Sequence, residues 1–242
     1  MTRRRWIAER WDEATATLVG AQAEHLARVL RAQPGAEADV VANGRVFHGR
    51  IESVSLEEVR FALIAETAAV PALPVTLLLS VFKFDRMEWA IEKATELGVA
   101  AIVPIVARRT EKHLAQAAEK RVERWRKLAH EAAKQSRRAD VPTVSDPLTL
   151  AARLPQPRRA QTILLAEDEK MTTLVQRIQT ALADSAAELP EFELAIGPEG
   201  GWTPDELALF AKHNWLPASL GPRILRAETA AIACLAIASS LF

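Results

Sequence analysis

The chain has 242 residues, 49% of them hydrophobic and 26% charged, with 31 basic side chains balanced by 31 acidic ones. This composition suits a folded globular protein and excludes an intrinsically disordered one, and zero net charge means that a polyanion would have to be held by a local patch. The single cysteine, Cys234, allows no internal disulfide and no thiolate metal cluster; within an apolar helical run it reads as a small buried hydrophobe.

In chain order, Met1 to Trp6 is basic, but no long apolar segment follows it as a secretion signal would require, so a cytoplasmic address is expected. Arg3, Arg4 and Arg5, with Arg28 and Arg31 on a helix expected at about Ala23 to Arg31, make one basic cluster. Valine-rich runs at Ala38 to Ala42 and Val46 to Ile51 flank Asn43-Gly44, a pair that tolerates positive φ at both turn positions and so predicts a hairpin. A small β-rich domain over residues 1–72 follows, ended by Pro71-Ala72-Leu73-Pro74, which stiffens the backbone and interrupts any ladder.

Residues 73–242 read differently. Val75 to Val81 is expected as a buried strand, and Met87 to Leu97 as a helix with Met87, Ala90, Ile91, Ala94 and Leu97 on one face and Gly98 as its stop. Ala100 to Val106 is the next strand, a long amphipathic helix runs to about Arg138, and further strands fall at Thr162 to Ala166 and Phe192 to Ile196. Strands alternating with helices predict a parallel sheet covered on both faces, an α/β fold. The last helix, about Glu228 to Phe242, is apolar but too short to span a bilayer, so no membrane partner is expected.

Two segments carry chemistry. Ile196 runs into Gly197-Pro198-Glu199-Gly200-Gly201, and Thr203-Pro204-Asp205-Glu206 then supplies a cap, a proline at the first helical position and the acid of a capping box. Glycines between a strand end and a helix start leave backbone N–H groups open to a ligand, yet the same pattern serves a tight connection, and the loop alone supports both readings equally. It matches neither the dinucleotide fingerprint nor a phosphate loop. The second segment, Ser219 to Ala230, sets Arg223 and Arg226 beside Ile224 and Leu225, offering apolar contact to a ring and cationic contact to a polyanion.

From Arg108 to Arg138 there are eleven basic residues against four acidic ones, Arg121 and Arg124 near the centre. Such a run is either a solvated helix surface or a phosphate-binding face, and two separated basic clusters suit a structured RNA better than a small anion. The five histidines are scattered without ligand spacing, so no metal is expected.

The ordered set of His25 to Arg31, Lys83, Arg86-Met87-Glu88, Lys93 to Val99, Pro104, Arg108, Glu131 to Arg138, Pro142, the Ile196 to Gly201 loop and Leu220 to Ala230 resembles the bacterial 16S ribosomal RNA (uracil-N3) methyltransferases of the knotted SPOUT superfamily. Two positions depart from that pattern: Phe84 and Arg137 stand where glycines are usual. The resemblance implies an N-terminal PUA-like β-barrel for RNA (1–72), a SPOUT α/β trefoil-knot domain (73–242), S-adenosyl-L-methionine as cofactor, 16S ribosomal RNA in the small ribosomal subunit as partner, and a homodimer.

It further implies a cofactor site from Leu165, Ala166 and Glu167, from Ile196, Gly197, Glu199, Gly200 and Gly201, and from Leu220, Gly221, Ile224 and Leu225. Arg226, Arg138 and Glu228 become the catalytic candidates, the arginines for charge on the uracil and Glu228 as proton acceptor; an acid at that place also suits a helix start. Lys83, Arg86, Arg108, Gln135 and Arg223 join Arg3, Arg4, Arg28, Arg31, Arg121 and Arg124 as RNA-binding candidates. Two rival functions are methylation of another RNA atom, such as a ribose 2'-hydroxyl, and a non-catalytic RNA-binding assembly factor.

Overall fold

The computed structural model describes residues 5–157, 159–185 and 189–242. Arg3 and Arg4 lie outside the described residues. The chain divides into two compact units: one ends at Pro71 and takes in Ala133–Asp140, and the other comprises Ala72–Ala132 and Val141–Phe242.

The first unit is a curled six-stranded sheet, a half-barrel of PUA-like form. Its strands are β1 (Arg5–Ile7), β2 (Arg10–Trp11), β3 (Thr15–Val19), β4 (Glu37–Ala42), β5 (Arg45–Val54) and β6 (Glu58–Thr67), in the order β1-β4-β5-β6-β3-β2. The period-two alternation of β3, β4 and β6 turns Leu18, Val40, Val59 and Phe61 into one shared core. Asn43 and Gly44 have φ of 51° and 70°, the two left-handed positions that the β4–β5 hairpin requires. Register shifts between His48 and Gly49 and between Ile51 and Ser53 bend β5 and curl the sheet. The expected helix is α1 (Ala21–Glu24), continued by a π-helical turn over His25–Val29.

The second unit is a sheet whose strand pairs are all parallel. Its strands are β7 (Leu73–Ser80), β8 (Val99–Val106), β9 (Thr143–Val144), β10 (Leu148–Thr149), β11 (Gln161–Leu165), β12 (Phe192–Ile196) and β13 (Leu216–Ala218). They run β10-β8-β7-β12-β11-β13, with β9 also on β8. All five residues of β12 are buried, as a central strand covered on both faces must be.

Alternate residues of β7 and β12 feed opposite layers. Leu77, Leu79, Leu194 and Ile196 join the core formed with α2 (Phe84–Glu96), α3 (Lys112–Gln135), α5 (Leu174–Asp184) and α7 (Ala227–Ser239). Leu78 and Ala195 join the smaller core with α4 (Leu150–Arg153) and α6 (Pro204–Lys212), where Trp202, Phe210 and Trp215 stack edge to face. Cys234 is fully buried within the first of these layers, and burial pushes its thiol up to about 12. Among the described residues no helix is long and apolar enough to cross a membrane, and no group of histidine, cysteine, aspartate and glutamate could hold a metal.

Candidate functional site

Parallel strands end together, so β11, β12 and β13 deliver their following loops to one edge of the sheet, where open α/β folds place ligands. A cavity of about 590 Å³ opens there, lined by Leu165–Asp168, Lys170, Ile196–Trp202 and Ala218–Ala227 together with Arg86, Arg109 and Leu207. All twelve residues named above for a cofactor line this one cavity, and so do Arg86, Arg223 and Arg226.

The three loops are fixed by ordinary local chemistry. Ser219 is laced to the loop after β11: its N–H donates to the Thr172 carbonyl at 2.9 Å, its carbonyl accepts from Leu174 at 2.9 Å, and Ala166 N–H reaches the Ala218 carbonyl at 3.1 Å. Within that loop the Thr172 and Met171 N–H groups bind Glu169 and hold its carboxyl below the usual carboxylate range. In the third loop, the Ser219 hydroxyl accepts from Gly221 N–H at 3.1 Å, and Gly221 has φ of 120°, a conformation that side chains disfavour.

The glycine loop after β12 is a close-packed turn. A Cβ at Gly197 would come within 3.2 Å of the buried Trp202 indole, so a side chain here would press on that ring. Gly201 turns with φ of 68°, its N–H donating to the Pro198 carbonyl at 2.8 Å. The capping box at Thr203 is formed in full: Glu206 N–H donates to the Thr203 hydroxyl, and Thr203 N–H donates to the Glu206 carboxylate at 2.9 Å.

Charge in the site is arranged around Arg86, near the start of α2. Its guanidinium donates to the Glu199 carboxylate, and its Nε lies 3.8 Å from Glu228 Oε1. Glu228 is buried in the first turn of α7, beside the cavity wall at Ala227, and its Oε2 has no hydrogen-bond partner. A buried carboxylate oxygen left unsatisfied costs on the order of 1–3 kcal/mol. The Trp202 indole N–H is also buried without a partner.

Other candidates fall elsewhere. Arg138 belongs to the first unit, where it is buried and pairs with Asp140; Arg28 pairs with Glu24 at 2.6 Å, and Arg31 is exposed there. Lys83 and Gln135 are exposed, at the start of α2 and the end of α3. Arg121 and Arg124 both bind Glu88, Arg124 through two hydrogen bonds of 2.7 and 2.8 Å, and the Arg121 guanidinium lies 4.8 Å over the Phe84 ring. These two arginines are thus partly engaged within the α2–α3 layer. Arg137 sits at φ 61°, a left-handed conformation that favours glycine. The Arg108 side chain is exposed while its backbone N–H donates to Glu206 at 2.8 Å. Sequence reasoning missed Trp202 and Arg109, and only the aromatic at the end of the glycine run hinted at the first.

Residues 69–239 match the RNA methyltransferase domain family, and residues 18–64 match the RNA methyltransferase PUA domain. The chain is 34% identical over 235 residues to the ribosomal RNA small subunit methyltransferase E of Synechocystis, covering 95% of this chain and 74% of that protein. To the protein of the same name from Bacillus subtilis it is 31% identical over 232 residues, covering 94% and 91%. Among solved structures it is similar to a ribosomal RNA small subunit methyltransferase E from Neisseria gonorrhoeae bound to S-adenosyl methionine, with a TM-score of 0.80 and 26% identity over 100% of this chain and 98% of that one. A putative methyltransferase of Legionella pneumophila in complex with the same cofactor superposes with a TM-score of 0.78 and 26% identity, again covering 100% and 98%.

Proposed function

Because the chain belongs to the RNA methyltransferase family whose curated members are named ribosomal RNA small subunit methyltransferase E, we propose that it uses S-adenosylmethionine to methylate N3 of one uridine in 16S ribosomal RNA. The observation that carries this reading is the convergence of three loops, two glycine turns and Arg86 on one cavity beside a buried, half-satisfied carboxylate.

The residues present fit the cofactor. A cavity of about 590 Å³ falls in the range of roughly 300–1,000 Å³ usual for cofactor sites. Leu220, Ile224 and Leu225 offer apolar enclosure for the adenine, and the backbone of the 196–201 and 219–221 turns offers polar groups for its edge and the ribose. When bound, S-adenosylmethionine supplies an electrophilic methyl group on sulfonium sulfur.

The chain contributes alignment and proton management. Uracil N3 becomes nucleophilic on losing its imide proton, and Glu228 Oε2 is the acceptor we assign; as the N3–methyl bond forms, the sulfur–methyl bond breaks and the proton stays on the carboxylate. Arg86 Nε lies 3.8 Å from the other oxygen of that carboxylate, within ionic attraction and beyond hydrogen-bond length. Arg226, exposed at the cavity rim, is placed to balance negative charge developing on the uracil carbonyls, a role for which the Asp140 pairing of Arg138 makes Arg138 the weaker choice. N3 lies on the Watson–Crick edge, so the target uridine must be unpaired or flipped out.

The PUA-like unit and the basic face of α3 would locate the RNA in the small ribosomal subunit, with the enzyme a cytoplasmic homodimer. Nucleoside mass spectrometry of small-subunit RNA from cells with and without this chain tests the assignment. Loss of one N3-methyluridine is expected. Loss of a 2'-O-methylated nucleoside would move the reaction to another atom, and an unchanged profile would leave a binding role only.

A further inference from the structure

We infer that Arg109, which follows β8, is a positioning residue that pre-forms the glycine loop for the cofactor and does not read RNA. This inference rests on the assignment of the cavity as the S-adenosylmethionine site. Arg109 belongs to the basic run that sequence alone assigns either to solvent or to phosphate, yet its guanidinium points at protein. Nη1 donates to the Gly200 carbonyl at 2.6 Å and to the Trp202 carbonyl at 3.3 Å. Its aliphatic stem lies along the loop, for a Cβ at Gly200 would stand 3.3 Å from Arg109 Cδ.

The turn that carries Arg109 is itself anchored. Thr110 donates its hydroxyl to the Val81 carbonyl at 3.0 Å and accepts from Ala107 N–H at 3.2 Å. Arg108 N–H donates to Glu206 Oε1 at 2.8 Å, while Glu206 Oε2 accepts from the Thr203 N–H and hydroxyl. One buried carboxylate therefore joins the turn after β8 to the start of α6, and Arg109 reaches the loop between them.

Planarity of the peptide carries these contacts into the internal shape of the loop. With the Gly200 carbonyl held toward Arg109, the Gly201 N–H must point the opposite way, and it does, to the Pro198 carbonyl at 2.8 Å. With the Trp202 carbonyl held likewise, Thr203 N–H is directed to Glu206. A run with two adjacent glycines has the greatest backbone freedom to lose on ordering, and a guanidinium that fixes it in advance removes that loss from the binding step.

The test is calorimetric titration of the full chain with S-adenosylmethionine in the absence of RNA, on the wild type, Arg109→Met and Arg109→Lys. Arg109→Met is expected to raise the cofactor Kd about tenfold, with Arg109→Lys recovering part of the loss because an ammonium still reaches one carbonyl. In turnover, cofactor KM should rise by a larger factor than kcat falls, whereas general destabilisation would lower the active fraction and leave KM alone. Equal Kd for wild type and Arg109→Met overturns the inference, as does an increase in RNA KM with cofactor Kd untouched. Should Arg109→Met fail to fold, Gly200→Ala, which presses on the same stem, is expected to raise Kd about threefold, and no rise there is equally fatal. A wild-type chain that binds no S-adenosylmethionine would overturn the functional reading and this inference together.

Discussion

Glu228 combines burial, one weak ionic contact through Oε1 and a lone Oε2, and it stands two residues from Arg226 at the head of α7. A carboxylate that served only the helix dipole would sit in solvent, where that service costs no desolvation. Replacing it with glutamine keeps the shape and removes the proton acceptor. Glu228→Gln is expected to retain cofactor affinity by calorimetry while turnover falls by about 100-fold or more; full turnover would remove Glu228 from the chemistry. Cys234 is the opposite case, a fully buried thiol whose ionisation burial has pushed up to about 12 from an ordinary 9.0. The folded chain should resist a thiol reagent at pH 8 and react only on unfolding. Since the unfolded thiol ionises first, this residue's contribution to stability shrinks as pH climbs past about 9, by at most about 1.4 kcal/mol per pH unit. At this scale the glycine loop and its capping box were legible in sequence, because each is local. Arg109 was not, because its contact with Gly200 spans 91 residues and resembles any other member of a basic run.

Among the elements, α2 and α3 show how a departure from the family pattern is absorbed. Phe84 packs edge-on to the fully buried Trp125, 6.1 Å between centroids, and carries the Arg121 guanidinium on its ring, while Glu88 one turn on gathers Arg121 and Arg124. Restoring glycine with Phe84→Gly should therefore destabilise the chain, by about 2 kcal/mol in urea unfolding, through lost packing and a floppier helix start. Continuous apolar runs revealed β7, β8, β11 and β12, and 3.6-residue periodicity revealed α2 and α3. The order of strands was not readable, since a parallel pairing such as β12 with β7 is settled by crossovers between segments far apart in sequence. Strands β9, β10 and β13, two or three residues each, are too short to display any period.

For the molecule as a whole, ligand linkage offers a clean check. S-adenosylmethionine at about one hundred times its Kd should add roughly 2.7 kcal/mol to the stability of the unit that binds it. Scanning calorimetry should then show the transition of the larger unit moving upward, with the first unit's held back; a shift confined to the first unit would put the cofactor elsewhere. The first unit gives way to the second at Pro71, beside the proline-rich break, and the return of Ala133–Asp140 to the first unit left no trace in composition or periodicity. That return makes the chain cross between the units at 71, again at 132 and once more at 140. Ala139 shares a small apolar cluster with Val41 and Val46, so the first unit is sewn shut by a stitch from the middle of the chain. A protease nick in the break at Pro71 would consequently leave two fragments that still elute as one particle, and the N-terminal piece expressed alone would lack Ala133–Asp140 of its own unit.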